Sequence, residues 1–80
     1  MIIRDLIKDK DYDYISWRVT APAHFEEPDI FFGAAKSENG KLIPLDGDNY
    51  YEDEVVVRYE EWSKGDIKNG LTVVTEVEWM

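Results

Sequence analysis

The chain contains no cysteine, and in a chain of 80 residues that absence restricts how a fold can be held together more than any other feature. Below roughly 80 residues a hydrophobic core seldom supplies more than ~3–5 kcal/mol, and natural domains add disulfides, a metal or a partner subunit. Disulfides and thiolate metal sites are excluded here. Dense aromatic packing and self-association remain. Three Trp, five Tyr and three Phe provide for the first, since each can bury ~150–250 Å². The length fits a single domain over residues 1–80.

The spacing of apolar residues sorts the chain into one short helix and about five strands. Ile3, Leu6 and Ile7 fall at i, i+3 and i+4 and give a helix over residues 2–8 one apolar stripe. Two turns are not stable alone in water, so this helix must dock. From Asp13 the period becomes two, with Ile15, Trp17 and Val19 alternating with Ser16, Arg18 and Thr20. Pro22 and Pro28 bracket an acidic loop. A second strand spans 29–37, and Asn39-Gly40 predicts a two-residue hairpin whose central residues both need positive φ. A third strand covers 41–45, where Pro44 lacks an amide hydrogen and points to a sheet edge. The fourth covers 54–62, with Val55, Val57 and Tyr59 on one face. Residues 63–70 read as a polar loop closed by a second Asn-Gly. The fifth strand covers 71–79, with Leu71, Val73, Thr75, Val77 and Trp79 on one face. The expected class is therefore α+β: a short N-terminal helix on a curled antiparallel sheet of about five strands, which strong curling would turn into a small open barrel.

Chemistry that names a reaction is missing. The one histidine, His24, lies in the proline-bracketed loop, and Ser16, Ser37 and Ser63 lack the setting of an activated nucleophile. Counting a calcium loop from Asp46 puts Asp48 at position 3, but Tyr50, Tyr51 and Val57 fall where a ligand, a glycine and a glutamate are required. Glycines 33, 40, 47, 65 and 70 show no phosphate-binding spacing. The reading is a non-enzyme with no cofactor and no metal. No run approaches ~18 apolar residues, and residues 1–8 are broken by charge, so the expected location is cytoplasmic with no membrane contact.

Charge is the informative feature. Nine basic and 18 acidic residues give a net charge of −9, which excludes direct non-specific binding of nucleic acid. Stretches 19–35, 42–57 and 69–80 contain no Lys or Arg, and the bases gather instead near the helix, the first hairpin and the late loop. Separation of this kind lets a surface project a field beyond a Debye length of ~8–10 Å. The strongest candidates for partner contact are Asp46, Asp48, Glu52, Asp53, Glu54, Glu60, Glu76 and Glu78. Tyr50 or Tyr51 would serve as a buried anchor, with Tyr12 and Tyr14 also beside acids.

With its acids at 46–54, Glu60-Glu61 and Glu76/Glu78, the chain resembles the small, acidic, cysteine-free proteins that phages and mobile elements use against host nucleases, the anti-CRISPR type among them. The resemblance is one of size, charge and aromatic–acid interleaving, without a shared motif. It implies an inhibitor acting as a nucleic-acid mimic in the positively charged groove of a basic, nucleic-acid-binding protein. The alternative is a structural or oligomerisation module, a homodimer paired through a sheet edge, with the proline-free 71–79 strand as that edge.

Overall fold

The computed structural model describes residues 1–20, 30–46 and 52–76. A five-residue helix, α1 (Ile3–Ile7), precedes five strands: β1 (Tyr14–Thr20), β2 (Ile30–Glu38), β3 (Lys41–Asp46), β4 (Val56–Lys64) and β5 (Ile67–Glu76). All five form one sheet in the order β3-β2-β1-β5-β4. Three pairings are antiparallel, but β1 and β5, at the centre, run parallel from Tyr14↔Gly70 to Thr20↔Glu76. The sheet is thus mixed where an antiparallel one was expected. β3 and β4 remain as unpaired edges, so it does not close into a barrel. With a helix of one and a half turns, the domain is mostly β rather than clearly α+β.

The two-residue period of β1 divides the sheet into faces as the sequence predicts. Ile15 and Trp17 are buried and Val19 packs beside them, together with Ala35 of β2 and Leu71 and Val73 of β5. α1 covers this face with Ile3 and Ile7, both 0% exposed, and Leu6 packs at their side. Polar groups carried inside find partners, as burial demands. Trp17 Nε1–H donates to Thr75 Oγ1 at 2.9 Å, and the Tyr12 N–H donates to the buried Ser37 Oγ at 2.8 Å. The Asn39-Gly40 turn has φ of 52° and 77°, the paired positive values the dipeptide was expected to supply. Pro44 lies on β3, an edge strand.

Four sequence readings change. The 63–70 stretch is not a loop: β4 continues to Lys64, the turn is Gly65-Asp66 with Gly65 at φ 59°, and β5 begins at Ile67. Gly70 sits in a strand because Trp62 of β4 lies over it; a Cβ there would be 2.6 Å from the indole ring. β5 is consequently interior, held by β4 on one side and β1 on the other, and not the open edge expected of the 71–79 strand. The register of β4 slips between Val56 and Arg58, so Val56, opposite Thr75, shares the core face with Tyr59, opposite Val73, although Tyr59 at the sheet edge is 49% exposed; Val55 and Val57 are 59% and 46% exposed. A bulge of this kind reverses alternation for everything before it. Tyr12, read as a surface anchor, is a core residue at 3% exposure. Val77 and Trp79 lie outside the described residues.

Candidate binding surface

The topology sets out the two ends of the sheet before any side chain is considered. Thr20, Glu76, Ile30 and Val56 mark one end, because Thr20 pairs with Glu76, Val19 with Ile30 and Val56 with Thr75. β3 runs toward this end but stops short of it at Asp46, level with Ala34 and so with Ser16 of β1. The opposite end holds both tight hairpin turns and the 8–13 connection from α1 to β1.

Charge follows this division. Stretches 21–29, 46–55 and 76–80 contain 3 + 5 + 2 = 10 acidic residues and no Lys or Arg; the termini Thr20, Ile30, Val56 and Glu76 that they adjoin lie at the first end, whereas Asp46 is level with Ser16. Stretches 8–13, 38–41 and 64–68, at the hairpin end, contain five acids and five lysines. The remaining helix and strand positions hold Asp5, Glu60 and Glu61 against Arg4, Arg18, Lys36 and Arg58. The net charge of −9 is therefore the sum of −10, 0 and +1. Along the sequence, the cation-free acids fall in the stretches between and after strands, while the lysines gather beside the hairpin turns. The seven residues of β1 set the ends roughly 20 Å apart at ~3.3 Å per residue. This exceeds a Debye length of ~8 Å at physiological salt, but the Glu52 carboxylate reaches Leu42, next to Lys41, and so lies near the hairpin-end cations.

The candidate contact residues fall into three groups. Asp46 is exposed at the end of β3. Glu52, Asp53 and Glu54 belong to a strap that crosses the start of α1: the Arg4 N–H donates to the Glu52 carbonyl at 2.7 Å and the Ile3 N–H to the Glu54 carbonyl at 3.0 Å. Two of the helix's unpartnered N–H groups are satisfied in this way. The Glu52 carboxylate is turned to structure, since its Oε1 accepts the Leu42 N–H of β3 at 3.2 Å. Asp53 is exposed, and Glu54 half-buried. Glu60 stands apart on β4, opposite Thr72, on the far edge from Asp46. Four strand spacings of ~4.8 Å lie between those edges. The Glu76 backbone pairs with Thr20 at the acidic end. Asp48, Tyr50, Tyr51 and Glu78 lie outside the described residues, as does His24.

The most engaged carboxylate of the described chain is Glu61, next to the candidate Glu60. The buried Tyr12 hydroxyl donates to Glu61 Oε1, and Lys10 Nζ lies 3.7 Å from the same oxygen. The Tyr12 bond, and after it the Lys10 charge, lower the Glu61 pKa from its ordinary 4.5. Burial, reinforced by the Glu61 bond, raises the Tyr12 phenol above its ordinary 10.0. The sequence pattern hides this pair, because 49 residues separate its members. A second aromatic group lies on the face away from α1. Trp62 packs against Tyr14, ring centroids 6.1 Å apart, and its Nε1–H donates to Thr72 Oγ1 at 2.9 Å.

No group of His, Cys, Asp or Glu suited to a metal ion occurs among the described residues. None of their helices is long and apolar enough to cross a membrane. The sequence matches no known family model, no curated protein and no solved structure.

Proposed function

We propose that this chain is a non-enzymatic acidic binding protein that inhibits a basic, nucleic-acid-binding partner, such as a CRISPR-type nuclease, by presenting its acidic end to the partner's nucleic-acid groove. One observation carries the reading: the stretches 21–29, 46–55 and 76–80 contain ten acidic residues and no Lys or Arg. A solubilising charge has no need to be one-ended, whereas steering toward a basic groove does. The molecule measures 35 × 26 × 22 Å. Duplex nucleic acid about as long as its greatest extent carries about 20 phosphates at one charge per ~1.7 Å, so the ten carboxylates give roughly half that charge.

The test compares two variants of equal net charge. Asp46→Lys with Asp53→Lys alters exposed positions in the cation-free 46–55 stretch; Glu38→Lys with Asp66→Lys alters the hairpin end. Each pair moves the net charge from −9 to −9 + 4 = −5. Immobilised chain is offered a host lysate at low and high salt, and retained proteins are identified and challenged with duplex DNA. The reading expects a basic nucleic-acid-binding protein, released by salt and by duplex, and lost with the first pair only. Equal loss with both pairs would reduce the effect to bulk charge, and retention unchanged by the first pair would remove the acidic end from the interface.

A further inference from the structure

The two edges of the sheet are finished differently. β3 is closed to further pairing: Pro44 has no N–H to offer, and the Leu42 N–H already donates to Glu52 Oε1. β4 is lined at its start by the first two residues, where Ile2 bridges Val55 and the Val56 N–H donates to the Met1 carbonyl at 2.9 Å. Past that point the edge carries Val57 and Tyr59, both close to half exposed.

We propose that β4 pairs with β4 of a second copy of this chain, antiparallel about a twofold axis at Tyr59, to extend the sheet to ten strands. Antiparallel self-pairing about any residue sets the residue before it against the residue after it, on the same face. About Tyr59, Arg58 faces Glu60 of the partner, and Glu60 faces the partner's Arg58. The neighbouring registers fail on charge: an axis at Arg58, Glu60 or Glu61 places like charges directly opposite, which destabilises a strand pair. The free length of the edge agrees with this choice. Met1 and Ile2 occupy it at Val55 and Val56, and its pairing becomes irregular between Trp62 and Lys64. Residues 57–62 are left, their midpoint falls between Tyr59 and Glu60, and charge selects Tyr59. Because β3 is capped, head-to-tail growth from β4 onto β3 is not offered, and pairing of like edges closes at two copies. The paired stretch is short and Val57 lies within a bulge, so the dimer is weak and concentration-dependent.

Sedimentation from about 10 µM to about 1 mM tests this across the range where weak association is read. A monomer–dimer equilibrium with no larger species is expected. Glu60→Arg should weaken it by about tenfold or more, by placing two guanidinium pairs in opposition. The charge swap Arg58→Glu with Glu60→Arg should restore it to within about threefold of the original. Should the swap not fold, Tyr59→Lys sets two ammonium groups at the axis and should weaken the dimer to a similar degree. Monomer at every concentration, growth beyond two copies, or a dimer indifferent to Glu60→Arg and Tyr59→Lys would overturn the proposal. Tyr59 is not among the residues proposed to meet the basic partner, so Tyr59→Lys leaves capture of that partner intact and the two readings fail separately.

Discussion

Replacing Gly70 with alanine should destabilise the fold through one ring. An added Cβ would lie 2.6 Å from Cδ2 and Cε3 of Trp62 and 2.7 Å from Cε2, closer than carbon atoms approach, so the indole must move. Moving it gives up the Nε1–H bond to Thr72 and the packing on Tyr14. Each of these is worth about 1 kcal/mol. The alanine recovers about 0.5–1 kcal/mol through the lower conformational freedom of the unfolded chain. The expected net loss is about 1–1.5 kcal/mol, or a fall in melting temperature on the order of 6–9 °C for a domain of this size. Urea unfolding followed by circular dichroism measures it, because tryptophan emission would change with the ring itself. Repeating the substitution in a Trp62→Leu background isolates the cause. Without the ring, Gly70→Ala should be neutral or slightly stabilising. An equal cost in both backgrounds would refute the indole as the reason for glycine at this position.

Four further outcomes follow from contacts already described. Glu61 titrates below its ordinary value, so its contribution is complete above about pH 4.5 and is lost as pH falls through the lowered folded-state value; Tyr12→Phe should flatten this acid limb in a pH series of urea midpoints. The same variant should remove an alkaline limb, because the raised Tyr12 phenol stays protonated in the fold while the unfolded chain ionises above its ordinary 10.0. Ser37→Ala leaves the Tyr12 N–H without its acceptor in a buried setting and should cost about 1–3 kcal/mol in denaturant unfolding. Glu52→Ala exposes the Leu42 N–H on β3 and should allow association past the dimer, visible by light scattering, whereas Glu52→Gln keeps an acceptor and should not.

Much of this architecture could be read from local chemistry. The Asn39-Gly40 turn, the edge position of Pro44, the inward set of β1 and the apolar stripe of α1 all depend on residues within a few positions of one another. What escaped depends on distant partners. Asn69-Gly70 has the composition of a turn, but the glycine is used to admit Trp62 from the neighbouring strand. One inserted residue at Val57 changes which valines of β4 face the core, and nothing in a run of three valines marks the insertion. Tyr12 is flanked by aspartates and reads as surface, yet burial of its ring is made tolerable by Glu61. Of the candidate site, the one-sided loss of Lys and Arg is visible in the sequence. Which strand termini those stretches adjoin depends on strand order, which a hairpin signal cannot convey.

The parallel pairing of β1 with β5 ties Tyr14 to Gly70, 56 positions later. A growing polypeptide therefore has no central seam to assemble on until β5 has been made. The helix, β1 and the first hairpin would wait with an unsealed flank, and loop closure over such a span is slow. Folding of this domain should be a late, single event, completed when the last strand slots between its neighbours, and any shortening that removes that strand should leave no partly folded remainder.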